Sequence, residues 1–224
     1  MPRPPRIWFP GALYHVMVRG DNREPIFFND ADRRSFLVRL ARAKHEYGCQ
    51  LWAYVLMTNH VHLMLRTGDI HPVSKFMQSL NTGYTFHVHK KYRRVGHIFQ
   101  GRFHSILVEK DTYALELTRY IHLNPVRAKM VPVPEAYRWS SYHAYLGGDS
   151  TTLVDVEEVL AMMSPVVTKQ RKLYIDFVRD GLQERNSAFE QVLLTAPVLG
   201  SPEFAALHGV RHQARNSASL PIGV

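Results

Sequence analysis

Two histidines interrupt the apolar run MTNHVHLML at residues 57–65. The run is typical of a buried strand, and side chains in a strand alternate between its two faces. His60 and His62 therefore share one face with Met64, and the valine and leucines between them point to the other. Neighbouring imidazoles on a sheet can form part of a metal site or transfer a proton. Alternatively, they are two unrelated polar residues on the solvated face of an antiparallel sheet.

A polar stripe on a later segment, DTYALELTRYIHLN, offers the groups that the histidine pair lacks. Glu116, Tyr120 and Asn124 are spaced four apart and so share one helix face. Asn124 offers a carbonyl oxygen to a hard cation, and Tyr120 offers a phenol. Two imidazoles and an amide oxygen form an open shell that polarises a phosphodiester, which a nearby tyrosine can attack. Alternatively, Tyr120 is a core aromatic and Asn124 only ends the helix, since Pro125 disfavours helix at the residue before it.

The elements that would position these residues follow the order β-α-β-β-α-β and then a further helix. Strands are predicted at 13–19, 49–56, 60–66 and 103–109, and helices at 30–47, 72–92 and 111–124. This order is that of the ferredoxin-like split βαβ fold, an α+β antiparallel sheet with helices on one face. The third strand is central in that fold, so we expect its histidines on the open face. Open faces of this kind bind nucleic acid in other proteins, although a fold alone does not establish function.

The chain is predicted to divide near residue 148, where GGDST reads as a linker. We expect one domain at 1–147 and a small helical C-terminal extension at 148–224. The extension has helical spacing near 153–163, 169–184 and SPEFAALHG, and its tail is expected to be loose. The 224 residues and 46% hydrophobic content are enough for a sizeable core, which argues against global disorder.

The charge of the chain is concentrated in its first two thirds. The net charge is +9, and residues 1–150 contain 21 Lys and Arg against 11 Asp and Glu, whereas the rest contains 7 against 8. A polyanion is therefore the expected partner of the first part, and nucleic acid is the commonest polyanion. An anionic membrane is the weaker candidate, because no basic amphipathic helix with a strongly apolar face stands out.

The cysteine count and the lack of long apolar runs exclude several classes of protein. The single cysteine, Cys49, excludes an internal disulfide and a cysteine-rich zinc site. The proline-broken start is not a convincing signal peptide, and no apolar run approaches the roughly 20 residues that span a bilayer. We therefore expect a soluble, cytoplasmic protein with no membrane association.

Several phrases occur in a recognisable order along residues 8–147. They are YHVMVRGDNR at 14–23, NHVHLML at 59–65, GHIFQGRF at 96–103, RYIHLNPVRAKMV at 119–131 and WSSYHAY at 139–145. The chain thereby resembles the single-tyrosine HUH transposases, and within them the REP-associated tyrosine transposases. The C-terminal part resembles the extra segment of some members only weakly.

The resemblance implies metal-dependent cleavage and joining of single-stranded DNA with imperfect hairpins. Tyr120 matches the nucleophile, which in such enzymes leaves a 5′-phosphotyrosine and a free 3′ hydroxyl. His60 and His62 match the HUH pair, and Asn124 stands at the third ligand, often Gln in insertion-sequence relatives. The implied cofactor is a divalent cation, Mg²⁺ or Mn²⁺, and the implied state is a monomer or a homodimer. Tyr113, seven residues before Tyr120 and on nearly the same face, is the alternative nucleophile.

Basic side chains near these motifs are predicted to contact the DNA backbone, because phosphate contacts position DNA without reading its sequence. Phe99 is predicted to stack on bases, whereas Phe103 suits the core equally well. The predicted backbone contacts are Arg19, Arg23, Lys90, Lys91, Arg93, Arg94 and Arg102.

Two other functions remain open from the sequence, and Met64 argues against a third, a histidine-triad nucleotide hydrolase. A non-catalytic nucleic-acid-binding module would use the same sheet without needing Tyr120. A histidine-triad nucleotide hydrolase would need a third histidine where Met64 stands. A metallonuclease that uses water would cleave DNA without any covalent protein–DNA adduct, and that observation separates it from a transposase.

Overall fold

A computed structural model describes residues 6–148, 153–183 and 187–208, and the predicted fold class is confirmed. The strands β1 (Leu13–Arg19), β2 (Gln50–Leu56), β3 (His60–Arg66) and β4 (His104–Val108) pair antiparallel in the order β2-β3-β1-β4. Because β3 lies between β1 and β2, the arrangement is the split βαβ unit. A short strand that was not predicted, β5 (Val198–Leu199), pairs parallel with β4 at the sheet edge.

Helices α1 (Asp30–Glu46) and α2 (Val73–Tyr92) follow β1 and β3 and pack against each other. A capping box begins α1: the Asn29 side chain accepts from the Asp32 amide, and the Asp32 carboxylate accepts from the Asn29 amide. Gly48 follows α1 with a φ of 60°, a conformation that favours glycine. The buried residues of the two helices have helical spacing: Phe36, Leu40, Ala43, Phe76, Met77, Leu80, Tyr84 and Val88.

Helix α3 (Lys110–Arg127) covers part of the sheet face that carries the histidines. It contacts β2 and β3, and its Tyr120 ring lies against the His62 ring. The expectation that the histidine face is open is therefore wrong over β2 and β3. Packing α3 there buries His62 to 3% exposure.

The predicted end of this helix at Asn124 is also wrong, because α3 continues through Pro125 to Arg127. Proline lacks the N–H of a regular helical hydrogen bond. Hydrogen bonding resumes beyond it, where the Ala128 amide donates to the Asn124 carbonyl at 2.9 Å. Asn124 consequently stays inside the helix, one turn from Tyr120, so the predicted stripe is preserved.

The WSSYHAY segment covers the outer edge of β2. The Leu56 amide donates to the Trp139 carbonyl at 2.9 Å, and the Ser141 amide donates to the Tyr54 carbonyl at 3.0 Å. An edge strand otherwise presents unpaired backbone groups. The WSSYHAY motif therefore has a structural role, which is to cover the edge of the sheet.

Short elements complete the chain. They are 3-10 turns at Asp21–Arg23 and Pro134–Ala136, and the helices α4 (Tyr142–Tyr145), α5 (Glu157–Ala161), α6 (Val167–Asp180), α7 (Ser187–Thr195) and α8 (Pro202–Leu207). Helix α7 was not predicted, α5 and α6 are shorter than predicted, and the predicted loose tail beyond residue 208 lies outside the described residues. The division at residue 148 stays a prediction. Among the described residues, no helix is both long enough and apolar enough to cross a membrane.

Candidate active site

Three histidines, rather than the predicted two, meet on the sheet face beneath α3. The antiparallel register of β1 and β3 places His15 on the same face as His60 and His62. His15 Nε2 and His62 Nδ1 are 2.8 Å apart. Sequence reasoning overlooked His15, although the alternation of LYHVMVR places it on one face with Arg19.

The His60 imidazole is oriented by the residue before it. His60 Nδ1 lies 2.7 Å from the Asn59 side-chain oxygen, and the Asn59 amide nitrogen donates to the Arg23 carbonyl at 2.8 Å. Because an amide oxygen only accepts hydrogen bonds, Nδ1 of His60 carries the proton and Nε2 keeps its lone pair. Nε2 is therefore the nitrogen that His60 offers to a cation.

Tyr120 lies edge-on to both buried histidines. Its ring centroid is 5.7 Å from that of His62 and 6.0 Å from that of His15, with interplanar angles of 90° and 86°. One turn later, the Asn124 side chain donates to the Tyr120 carbonyl at 3.3 Å. Helix α3 thus brings the predicted nucleophile to the predicted ligands, which lie 58 residues or more before it in the chain.

Burial and one arginine determine the charge state of the site. Burial and then the Arg19 charge lower the pKa of His60 to about 4. Burial, the neighbouring histidines and Arg19 hold the pKa of His62 well below its usual range. Burial raises the pKa of Tyr120, against the effect of a hydrogen bond with Asn124 and the Arg19 charge. At neutral pH the site therefore combines neutral imidazoles, a protonated phenol and a guanidinium.

The donors of this site fit an open metal shell. No three His, Cys, Asp or Glu side chains of the described residues group together as a metal site. His60 and His62 supply two nitrogen ligands, and Asn124 carries an amide oxygen one helical turn from Tyr120. Such a set leaves coordination positions for water or phosphate oxygens, so these three residues would hold the divalent cation that the family resemblance implies.

Helix α7 forms a wall of the site that the sequence did not predict. The Phe189 ring centroid lies 6.1 Å from that of Tyr120. Glu190 pairs with Arg127 at 3.3 Å, and the Arg127 guanidinium lies 5.7 Å from the Tyr120 ring centroid. No local pattern could reveal this contact, because it joins segments more than 60 residues apart.

The predicted DNA-contacting residues of β1 and of the GHIFQGRF loop lie on segments that are joined beside the site. The Gln100 amide donates to the Arg19 carbonyl at 2.9 Å, and the Asp21 amide donates to the Ile98 carbonyl at 3.0 Å. This loop directly follows the basic end of α2. The exposed arginines on these segments are Arg23, Arg93 and Arg102.

Two predicted DNA contacts are already engaged in ion pairs. Lys91 Nζ lies 2.7 Å from the fully buried Asp32 carboxylate, and Arg94 lies 3.0 Å from that of Glu24. Lys90, by contrast, is exposed and has no ion-pair partner among the residues that the structure describes. Neighbouring lysines of equal charge therefore differ in their availability to DNA.

The burial of Phe99 does not support its predicted stacking on bases. Phe99 is 8% exposed, and its ring centroid lies 6.2 Å from that of Tyr84. Phe103 is equally buried, with the Arg6 guanidinium 3.8 Å from its ring centroid. Both rings are core residues, because the loop that carries them folds back onto α2 and β1.

The geometry described above is that of an α+β protein with a tyrosine over paired histidines. A family model described as IS200-like transposase matches residues 9–124, more than half of the chain. The chain belongs to this transposase family.

Several solved structures also match the chain. A REP-associated tyrosine transposase bound to a REP hairpin is 16% identical with a TM-score of 0.56, over 70% of this chain and 90% of that one. This similarity shows a shared fold. A protein of Deinococcus radiodurans R1, provisionally assigned as a transposase, is 18% identical with a TM-score of 0.39, over 53% of this chain and 95% of that one. No curated protein matches significantly.

Proposed function

We propose that this transposase cleaves and rejoins hairpin-bearing single-stranded DNA through a 5′-phosphotyrosine on Tyr120, in DNA transposition or REP-element processing. The observation that carries the proposal is the position of Tyr120, edge-on to His62 and to His15. Family membership supports a role in transposition. The REP hairpin bound to the similar solved structure supports a hairpin substrate.

The proposed cleavage is a phosphoryl transfer to Tyr120. The phenol oxygen attacks phosphorus and loses its proton to solvent, while the bond to the 3′ oxygen breaks and that oxygen takes up a proton from solvent to become a 3′ hydroxyl. Rejoining is the reverse step, in which a 3′ hydroxyl attacks the phosphotyrosine and releases Tyr120. Burial raises the pKa of the phenol, whereas the hydrogen bond with Asn124 and the charges of Arg127 and Arg19 lower it and so favour the phenolate.

Two further groups of residues support the chemistry. His60, His62 and Asn124 would hold Mg²⁺ or Mn²⁺, which when bound withdraws charge from a scissile phosphate and stabilises a leaving oxygen. Arg23, Lys90, Arg93 and Arg102 would follow the DNA backbone.

The test compares Tyr120→Phe with Tyr113→Phe, a matched change two turns earlier on the same helix. Each protein is incubated with labelled hairpin DNA and Mg²⁺ or Mn²⁺, and covalent adducts are resolved on denaturing gels. Removing the Tyr120 hydroxyl should abolish cleavage and adduct together, whereas Tyr113→Phe should keep both. Mass spectrometry of the trapped adduct should locate the DNA on Tyr120.

The other outcomes separate the alternatives. An adduct on Tyr113, or an undiminished adduct in Tyr120→Phe, would overturn the assignment of the nucleophile. Cleavage without any adduct would favour a metallonuclease that uses water. Tight hairpin binding by the wild-type protein, with neither product, would favour a non-catalytic binding module.

A further inference from the structure

We propose that His15 is a positioning residue for metal binding: it accepts a hydrogen bond from Nδ1 of His62 and so keeps the Nε2 lone pair of His62 free for a cation. This inference rests on the proposed function, in which His60 and His62 are ligands. It concerns a residue outside the ligand set and outside the NHVHLML motif.

The contact between the two rings is a hydrogen bond rather than a face-to-face stack. Their planes are within 4° of parallel, with centroids 5.0 Å apart. The 2.8 Å distance from His15 Nε2 to His62 Nδ1 means that the rings meet through their nitrogen edges. This distance is normal for a hydrogen bond, so one of the two nitrogens carries a proton that points at the other.

His15 and His62 are 2% and 3% exposed, and both rings are neutral because burial penalises a charged imidazole. A neutral imidazole has one N–H donor and one lone pair. If His62 donates, its Nε2 has a lone pair that can bind a metal. If His15 donates, His62 carries its proton on Nε2 and cannot coordinate there.

The charge around the site favours the first of these tautomers. Met17 pairs with His62 across β1 and β3, so His15 and Arg19 lie on either side of His62, and Arg19 pairs with His60. A positive charge favours a lone pair over an N–H on a neighbouring nitrogen, because the lone pair is the negative end of the ring dipole. Arg19 therefore favours His62 with its proton on Nδ1, toward His15.

In this tautomer the proton of His15 lies on Nδ1, which is buried without a hydrogen-bond partner. Buried polar groups are nearly always satisfied, and exceptions need an explanation. Orienting a ligand is such an explanation, because the outer partner of a metal-bound histidine fixes its tautomer and ring orientation. Asn59 supplies the corresponding contact to His60.

The experiment compares His15→Leu, which removes the acceptor, with His15→Gln, whose side-chain oxygen can replace Nε2. Long-range proton–nitrogen NMR of the metal-free protein locates the proton on His62, with the signal assigned by its loss in His62→Ala. Mn²⁺ affinity is measured by calorimetry. We expect an Nδ1 proton on wild-type His62, a shift toward Nε2 in His15→Leu, and about 10- to 100-fold weaker Mn²⁺ binding by that variant. His15→Gln should restore both properties.

Tyr174→Phe is the matched control, because it disturbs a different buried histidine, His122, through the loss of one hydroxyl. It should lower stability without changing Mn²⁺ affinity. A wild-type His62 proton on Nε2 would overturn the role of His15. Unchanged Mn²⁺ affinity in folded His15→Leu would do the same while leaving the ligands in place. If His15→Leu does not fold, the position of the proton on wild-type His62 still decides.

Failure of the proposed function would look different. The wild-type protein would then bind no Mn²⁺, or would bind it with equal affinity after His60→Ala. Either result would contradict both the assigned metal ligands and the role of His15. Loss of Mn²⁺ affinity in His60→Ala but not in His15→Leu would contradict the role of His15 alone.

Discussion

Two buried histidine clusters contact opposite faces of α3, and their hydrogen bonding differs. On one side, His122 is completely buried, with Nε2 2.7 Å from Ser141 Oγ and Nδ1 2.8 Å from the Tyr174 hydroxyl. On the other, His15 bonds His62 through Nε2, while its Nδ1 has no partner. Both ring nitrogens of His122 therefore have a partner, whereas only one ring nitrogen of His15 does.

The difference indicates that the His122 cluster stabilises the fold, whereas the His15–His62 pair belongs to the candidate active site. A fully satisfied buried network stabilises one arrangement of its elements. The His122 cluster does so by joining α3 to the β2-edge segment and to α6 in the C-terminal extension. The His15–His62 pair leaves Nδ1 of His15 without a partner beside Tyr120, and such an exception needs an explanation other than stability.

The largest expected effect is the loss of DNA cleavage when the histidine cluster beside Tyr120 is changed, but not when the His122 cluster is changed. His62→Ala should reduce DNA cleavage by about 10³-fold or more, because a ligand that supports charge stabilisation contributes several kcal/mol. Hairpin binding should largely survive, since affinity comes mainly from basic contacts. His122→Gln, assayed under the same conditions, should cleave at the wild-type rate per folded molecule. Full cleavage by His62→Ala would remove the distinction between the clusters.

The converse experiment targets stability through the His122 cluster. Tyr174→Phe leaves Nδ1 of His122 without its partner, so the free energy of unfolding should fall by about 1–3 kcal/mol. Thermal melts should show a Tm that is lower by about 2–4 °C for each kcal/mol. Cleavage well below the melting transition should be unchanged. Loss of cleavage at unchanged stability would place this cluster in the catalytic machinery.

The buried carboxylate of Asp32 forms a third polar cluster, whose contribution to stability should depend on pH. Burial alone would raise the pKa of Asp32, but hydrogen bonds from Lys91, Tyr92 and His87 lower it to about 2. A carboxyl with a lowered pKa stabilises the fold above its ordinary pKa, and that contribution is lost as the pH falls. We therefore expect roughly 2 kcal/mol of stability to disappear between about pH 4 and pH 2.

Urea unfolding across this pH range tests the prediction against Asp32→Asn. The variant should be less stable at pH 7, and its stability should vary less with pH below pH 4. If the free energies of unfolding of the two proteins change with pH in the same way, the hydrogen bonds to Asp32 do not contribute the expected stability.

The smallest expected effect compares two adjacent lysines. Lys90→Ala should reduce the log–log salt dependence of single-stranded DNA binding by about 0.7, the value for one phosphate contact. Lys91→Ala should mainly lower stability, because Lys91 pairs with the buried Asp32 carboxylate. Equal slope changes in both variants would mean that the ion pair does not keep Lys91 from DNA.

The sequence by itself determined β1–β4, the helices α1 to α3 apart from the end of α3, and part of the site. Alternation in MTNHVHLML places His60 and His62 on one face of a strand, because the strand period is fixed by backbone geometry. The four-residue spacing of Tyr120 and Asn124 places them on one helix face for the same kind of reason. These relations are local, so they hold wherever the strand and the helix pack.

Only the tertiary structure decided which local patterns meet. The pairing of β1 with β3 makes His15 a partner of His62. The packing of α3 on the histidine face brings Tyr120 there, and α7 reaches the same place from the C-terminal extension. Contacts between segments far apart depend on which surfaces bury each other, and the periodicity of a single segment carries no information about its partner.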